Sequence, residues 1–324
     1  MDNYQVFDHF NITSLIEQYE GLTIEELYPH HQIVKNSMGQ FMEIIWENVD
    51  IPQNLSFKSS KKSIIYNLKT IYNIGDYIES RLKGRGVRSL YDLRHMIKYG
   101  KPANELLKLV KERDYKALLN NQCIYDIDTS FCFNLRDFLF LDIETLDLYD
   151  GPMIIIGLGY FTNSSFEIHI LYARDVSEEI AICEHLMNCV FPNFKSFVTY
   201  NGKTFDIPYM ARRFIYYYNN NPMINENDKL YDSVNTIYHH IDLYHNCRRK
   251  FKGLYEKYNL TSMEEKLLDL KRENEMPSSL IGLSYRKYLQ DPDRYVGLMK
   301  ECIDHNYFDV YSMPLILHKL LAKN

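Results

Sequence analysis

Two acidic residues follow a strongly apolar run and are spaced to point the same way. Residues 138–141 are all hydrophobic, and Asp142 and Glu144 come directly after them. On a β-strand, residues two apart project from the same face, so these carboxylates would converge at the strand's end. Neighbouring carboxylates repel unless a cation or a shared proton compensates, and hard oxygen ligands suit Mg²⁺ or Mn²⁺. The pattern predicts a divalent-metal site, although two solvated surface acids would give the same local sequence.

Two further acids lie where the chain changes from one element to another. The segment 200–206 (YNGKTFD) joins a predicted strand to a predicted helix, and Asp206 opens that helix. His305 and Asp309 are four residues apart on a predicted C-terminal helix, and therefore share a face. An Asp at a helix start is often only a cap. Each position alone thus has a structural explanation, and only the combination of the acids indicates chemistry.

The elements between these acids follow a definite order. Apolar or alternating runs predict strands at 138–143, 153–160, 166–171, 196–200 and 240–243. Helical spacing predicts helices at 173–190, at 206–218 and from 244 to the end. Three meandering strands, a helix and then alternating strands and helices are the order of an RNase H-like α/β fold, a mixed five-stranded sheet flanked by helices.

The acids and their neighbours resemble the three motifs of the DEDD superfamily of 3′–5′ exonucleases. The residues that carry the resemblance are Asp142-x-Glu144, Asn201-x-x-x-Phe205-Asp206 and His305-x-x-x-Asp309. With segments 157–161, 199–206, 260–264 and 305–310, residues 136–324 resemble the YprB-type RNase H-like exonuclease family. The resemblance implies a nuclease using two Mg²⁺ or Mn²⁺ ions, with Asp142, Glu144, Asp206 and Asp309 as metal ligands.

The resemblance also gives His305 a catalytic role. Such enzymes place a His or a Tyr there to orient or deprotonate the attacking water. The sequence departs from the pattern at this position, since His-x-x-x-Asp has the spacing of the Tyr subgroup but the residue of the His subgroup.

A basic, helical segment precedes this region. Residues 58–116 contain 15 Lys/Arg and 6 Asp/Glu, a local charge of +9, whereas the chain has a net charge of −6, so the remainder carries −15. The predicted order in this segment is a helix, an Asn-Ile-Gly turn, a second helix and a turn at a glycine. This order resembles a helix-hairpin-helix module, which binds nucleic-acid backbones. The predicted contacts are Asn73, Gly75, Arg81, Lys83 and Arg85. Asp76 and Glu79 count against phosphate binding there, and a merely solvated Lys-rich segment is the alternative.

Further candidates for nucleic-acid contacts lie beside the predicted acidic site. Asn201 and Lys203 belong to the turn before Asp206, and the run 248–250 places three cations on the helix after the fifth strand. The predicted contacts in that run are Arg248, Arg249 and Lys250. The alternatives are an ordinary loop lysine and an ordinary basic helix face.

Length and composition agree with a soluble protein of more than one domain. The 324 residues are 46% hydrophobic and 25% charged, with no apolar run of the ~20 residues that a membrane span needs. Six scattered cysteines indicate reduced thiols and a cytoplasmic protein. The predicted division is an N-terminal segment of unassigned role at 1–57, a helical domain at 58–118, a linker at 119–135 and the RNase H-like domain at 136–324.

Three functions remain open on the sequence alone. The leading prediction is a metal-dependent 3′–5′ exonuclease acting on DNA or RNA, at a single strand or a 3′ end. The same site in an endonuclease is the second. A non-catalytic nucleic-acid-binding or scaffold protein of the same fold is the third.

Overall fold

A twisted mixed sheet of seven strands forms the centre of the protein. The computed structural model describes residues 12–52, 57–225, 237–272 and 276–322. The strands are β1 His31–Asn36, β2 Gly39–Val49, β3 Phe138–Thr145, β4 Met153–Phe161, β5 Phe166–Tyr172, β6 Ser196–Thr199 and β7 His239–Asp242. Their spatial order is β1-β2-β5-β4-β3-β6-β7. The β3–β6 and β6–β7 pairs are parallel, and the other pairs are antiparallel.

The predicted fold class is confirmed, but the sheet is wider than the predicted five strands. The five strands β5-β4-β3-β6-β7 match the RNase H-like order, and β1 and β2 extend the sheet beyond β5. Both extra strands come from the N-terminal segment, to which the sequence gives no role. Phe41 faces one side of the sheet, and Met42 and Ile44 face the other. The pairing was not predictable because the partner of β2 lies more than a hundred residues later in the chain.

Helices cover both faces of the sheet and form a separate region before β3. In the first part of the chain they are α1 Ile12–Tyr19, α2 Ile24–Leu27, α3 Lys58–Tyr66, α4 Asp76–Gly84, α5 Leu90–Leu93, α6 Gly100–Glu112 and α7 Tyr115–Leu119. Later they are α8 Glu179–His185, α9 Asp206–Tyr218, α10 Leu243–Lys250, α11 Leu260–Met263, α12 Ser278–Gln290 and α13 Pro292–Leu321. No helix among the described residues has both the length and the apolar character needed to cross a membrane.

Strand β3 is apolar on both sides because the sheet is covered on both sides. Phe138 and Phe140 pack into one core together with α12 and α13, and Leu139 and Leu141 pack into a second core with α8 and α9. This double burial explains the uninterrupted hydrophobic run before Asp142. A third core joins α3 to α7 in the basic helical region.

Two glycines let the long helix α13 cross close to the sheet. A Cβ atom on Gly157 of β4 would lie 2.3 Å from Asn306 Oδ1, and one on Gly159 would lie 2.6 Å from a methyl group of Val310. Glycine is therefore required at both positions for the backbones to approach. The close approach places the middle of α13 over the end of β3.

The predicted linker is folded against the edge of the sheet. Residues 126–132 form a 3₁₀-helix, which explains the absence of a helical or strand period in the sequence. It packs against β7 and α3. The buried ring of His239 makes hydrogen bonds to Thr129 Oγ1 (2.9 Å) and Ser196 Oγ (2.7 Å), which join the 3₁₀-helix to β7 and β6.

Candidate active site

The end of β3 presents two carboxylates toward α13. Asp142 and Glu144 alternate with the buried Leu141 and Ile143, as the period of a strand requires. Asn306 of α13 is fully buried, and its Nδ2 donates to Asp142 Oδ2 at 2.8 Å. The hydrogen bond fixes the orientation of the Asp142 carboxylate.

Asp206 reaches the same point from the neighbouring strand. It is the first residue of α9 and is 4% exposed. Its Oδ1 accepts a 3.1 Å hydrogen bond from the backbone N–H of Ile143, the residue between Asp142 and Glu144. The parallel pairing of β3 and β6 brings the two strand ends together, so the turn after β6 delivers Asp206 beside them.

His305 and Asp309 complete the group from the third direction. His305 Nε2 lies 3.6 Å from Glu144 Oε1 and 3.5 Å from Asp309 Oδ2. Ligand atoms of Glu144, His305 and Asp309 all lie within 4.8 Å of one another. The structure thus brings together all five side chains that the sequence selects for chemistry, from three distant segments of the chain.

Arg272 belongs to this group and was missed by the sequence analysis. Its side chain is 5% exposed, forms an ion pair with Asp309 Oδ1 at 2.6 Å and contacts Glu264. The guanidinium also lies 5.6 Å from the Phe308 ring centroid. One Asp309 oxygen therefore faces Arg272 and the other faces His305. No periodic or motif signal marks Arg272 in the sequence, because its role depends on a fold-back of the chain onto α13.

The carboxylates interact strongly and unfavourably when ionised. Burial raises the pKa of Asp142 and Glu144 well above their usual ranges, and Asp309 and Asp206 raise both further. Burial also raises the pKa of Asp206 to about 7, against the opposing effect of its backbone hydrogen bonds. The positive charge of the described residues thus does not compensate these acids. Clustered carboxylate oxygens with such uncompensated charge fit a divalent cation.

Comparison with known proteins identifies the family. A model of the RNase H superfamily matches residues 139–321, more than half of the chain. The chain belongs to the RNase H superfamily. It is also 27% identical, over 203 residues, to the "Uncharacterized protein YprB" of Bacillus subtilis (strain 168). That match covers 59% of this chain and 45% of the relative, so the chain spans less than half of the relative's length.

A solved structure has a weaker likeness to this RNase H superfamily protein. It is the family B DNA polymerase from the hyperthermophilic archaeon Pyrobaculum calidifontis, with 18% sequence identity and a TM-score of 0.36. The alignment covers 57% of this chain and 27% of the polymerase. The family match and the YprB relative confirm the RNase H-like resemblance inferred from the sequence. The polymerase structure is not needed for this conclusion.

The turn that carries Asp206 in this RNase H superfamily protein is held by another acid. Asn201 adopts a left-handed backbone conformation, with a φ of 67°. The backbone N–H groups of Asn201 and Lys203 donate to the fully buried Asp242, at 3.0 and 3.1 Å. A Cβ on Gly202 would lie 2.4 Å from Thr199 Oγ1, so only glycine fits there. Lys203 Nζ forms an ion pair with Asp126 of the 3₁₀-helix.

The three cations of α10 have different surroundings. Lys250 Nζ donates to the carbonyl groups of Lys319, Leu320 and Ala322, and so caps the C-terminus of α13. The Arg248 guanidinium lies 5.5 Å from the ring centroid of Tyr244, and that of Arg249 lies 3.4 Å from the centroid of Tyr125. Arg248 and Arg249 are exposed, whereas Lys250 is occupied by the helix end.

The helix-hairpin-helix-like residues lie in the basic helical region, around its own core. Asn73 has a φ of 65°, and Gly75 precedes the first residue of α4. The exposed cations on and after α4 are Arg81, Lys83 and Arg85. The two acids of the first turn are both paired, because Asp76 lies 3.0 Å from Lys69 Nζ and Glu79 lies 2.9 Å from Lys83 Nζ.

Proposed function

We propose that this protein is a metal-dependent nuclease that hydrolyses phosphodiester bonds of DNA or RNA as a 3′–5′ exonuclease of the DEDD type. One observation carries the proposal. Four acids from three separate segments meet at one end of an RNase H-like sheet, and burial together with the neighbouring acids raises the pKa values of Asp142, Glu144 and Asp206. A purely structural site of this kind would be costly, because buried charge without compensation destabilises the folded state.

Each side chain has a role that follows from its position. We assign Asp142, Glu144, Asp206 and Asp309 as ligands of divalent cations, Mg²⁺ or Mn²⁺. Two such ions, when bound, would supply an activated water and stabilise the charge on the leaving oxygen.

The neighbouring residues orient these ligands. Asn306 Nδ2 holds one Asp142 oxygen, the Ile143 N–H holds one Asp206 oxygen, and Arg272 holds one Asp309 oxygen. Asp142, Asp206 and Asp309 are thus each fixed through one carboxylate oxygen, which preorganises the second oxygen of each.

His305 is our candidate for the residue that orients or deprotonates the attacking water. Its Nε2 lies between Glu144 and Asp309, at 3.6 and 3.5 Å, so a water bound beside these acids would be within reach. The role requires a neutral imidazole that accepts the proton at Nε2.

We further propose that the basic helical region binds the nucleic-acid backbone through its helix-hairpin-helix-like turn. The positive φ of Asn73 and the exposed side chains of Arg81 and Arg85 support this. The pairing of Asp76 with Lys69 and of Glu79 with Lys83 removes the main objection from the sequence, since neither acid carries uncompensated charge. Contacts of this kind would be independent of sequence.

The test is digestion of end-labelled oligonucleotides by the full chain. Single-stranded and duplex DNA and RNA, labelled at the 5′ or the 3′ end, are incubated with Mg²⁺, with Mn²⁺ and with EDTA. Shortening from the 3′ end in the presence of a divalent ion is the expected result. Internal products would instead indicate an endonuclease, and no hydrolysis of any substrate with either metal would overturn the proposal in favour of a binding or scaffold protein.

A further inference from the structure

A large open cleft lies beside the outer edge of β7, where the folded linker meets the RNase H-like sheet. Its volume is about 630 Å³, within the range of typical ligand-binding sites. The polar and aromatic residues that line it include Lys116, Tyr125, Asp126, Lys203 and Arg249. Its walls come from α7, the 3₁₀-helix, the turn before Asp206 and α10.

One wall of the cleft is held in place by a connected network. The Arg249 guanidinium stacks on Tyr125 at 3.4 Å and donates to Asn246 Oδ1 at 2.6 Å. Asn246 is buried, and its Nδ2 donates to Asp126 Oδ1 at 2.8 Å and to the Asp242 carbonyl at 2.7 Å. The cation and the aromatic ring therefore stand in a fixed arrangement before any ligand arrives.

The cleft carries a net positive charge. Lys203 and Asp126 form an ion pair with each other, and Lys116 and Arg249 supply two further cations. Burial lowers the pKa of the lining residues His239 and His240 to about 4 and about 3, so both rings are neutral at physiological pH. A phosphate is the ligand group that this charge favours, and an exposed Tyr ring with a stacked guanidinium is a surface on which a nucleobase stacks.

The cleft and the carboxylate site share one rigid turn. Lys203 lies in the cleft wall, and Asp206 is three residues further along the chain. Asp242 holds the backbone of this turn, and Thr199 Oγ1, at the end of β6, makes a 2.8 Å hydrogen bond to His240 Nε2 of the cleft. A strand that reaches Asp206 can therefore continue over this turn into the cleft.

We propose that this cleft binds a nucleotide unit of the substrate strand away from the scissile phosphate, with Lys116 and Arg249 on the phosphates and Tyr125 beneath a base. The inference rests on the proposed function, since it concerns the same substrate. It assigns strand binding to the linker residues, which the sequence left without a role. A strand is favoured over a free mononucleotide because the cleft is open and adjoins the turn that leads to the acids.

The experiment measures strand binding apart from hydrolysis. Fluorescently labelled single-stranded DNA is titrated with the full chain in EDTA, over a series of salt concentrations. Lys116→Gln, Arg249→Gln and the double variant are compared with Lys35→Gln, a matched change on β1, at the opposite edge of the sheet. Lys116 is exposed, so its replacement leaves the fold intact, and thermal unfolding of each variant checks this.

The salt dependence of strand binding distinguishes a phosphate contact from a role in folding. If Lys116 and Arg249 only stabilised the fold, replacing them would leave this dependence unchanged. Each lost phosphate contact lowers the slope of log K against log salt by about 0.7 for a single strand, so the double variant should lose about 1.4. Its affinity at low salt should fall by roughly tenfold or more, because two charged contacts to the strand are lost. Lys35→Gln should match the wild type. An unchanged slope in the double variant would overturn the proposal.

Two further arms separate this inference from the proposed function. If the wild type digests oligonucleotides and the double variant retains both its affinity and its KM, the cleft assignment fails and the nuclease assignment stands. If the wild type digests nothing but the double variant loses strand binding, the nuclease assignment fails and the cleft assignment stands. A cleft that binds AMP while strand affinity stays unchanged in the double variant would also overturn the strand assignment.

Discussion

Two groups of buried or half-buried acids adjoin the turn 200–206 and differ in how their charge is compensated. Asp242 and Asp126 are surrounded by donors: three backbone N–H groups reach Asp242, and Lys203 and Asn246 reach Asp126. Burial alone would raise the pKa of Asp126, but Lys203 and Asn246 lower it overall.

The second group has the opposite balance. Asp142, Glu144 and Asp206 have raised pKa values, because burial and the neighbouring acids outweigh the few donors that reach them. The contrast teaches that burial alone does not mark a functional acid. Donors of the protein compensate the charge of the first group, whereas the described residues leave that of the second only partly compensated, and we propose that divalent metal ions supply the rest.

The largest expected effect is on hydrolysis. Asp142→Asn should lower the rate of metal-dependent cleavage by more than about a hundredfold, since changes behind a ligand alone typically cost 10–100-fold. The Asn oxygen still accepts from Asn306, so the local geometry is retained. Initial rates on a labelled oligonucleotide measure the effect, and a variant with near wild-type rate would remove Asp142 from the site.

The next effect is on stability and concerns Asp242 and Asp126, whose charge is compensated by donors of the protein. Asp242→Ala should lower the free energy of unfolding by at least about 3 kcal/mol, because three backbone N–H groups lose their acceptor at about 1–3 kcal/mol each. Urea denaturation measures it, with Asp142→Asn as the matched control, which should lose no stability without metal. A loss below about 1 kcal/mol for Asp242→Ala would contradict the comparison.

Metal ions should stabilise the folded protein through the group of Asp142, Glu144 and Asp206, and not through Asp126 and Asp242. Mg²⁺ or Mn²⁺ at a hundredfold excess over its dissociation constant should raise the free energy of unfolding of the wild type by about 2.7 kcal/mol. The increase should persist in Asp126→Asn and be much smaller in Asp142→Asn. Thermal unfolding with and without metal tests this, and equal increases in both variants would show that the ion binds elsewhere.

The smallest effect is a difference in pH dependence between the two groups. A carboxyl with a raised folded pKa holds its proton in the folded state, so its contribution to stability falls as pH rises from about 4 toward the folded value, about 7 for Asp206. Asp126, with a lowered pKa, contributes stability above about pH 4 that is lost at lower pH.

Variants separate the two contributions. Without metal, Asp142→Asn should gain stability relative to the wild type between pH 4 and 7. Asp126→Asn should approach the wild type only below about pH 4. Urea denaturation across the pH range measures both differences, and parallel profiles for all three proteins would contradict the assignment of the raised pKa values.

The sequence predicted the core of the fold well where patterns are local. The apolar run before Asp142 and the helix that starts at Asp206 lie where the spacing places them. Local sequence patterns do not predict that β1 and β2 belong to the sheet, because β2 pairs with β5, which lies more than a hundred residues later in the chain. Residues 126–132 carry neither the period of a strand nor that of an α-helix, because they form a 3₁₀-helix.

The sequence by itself determined which residue types stand at the ends of which elements: two acids after a buried strand, one at a helix start, and a His and an Asp one turn apart. Only the tertiary structure decided their surroundings. Arg272 beside Asp309, Asn306 on Asp142, and the pairing of Lys203 with Asp126 all join residues distant in the chain. The reason is physical: spacing fixes the direction of a side chain along its own element, whereas burial and charge compensation depend on what the fold packs against it.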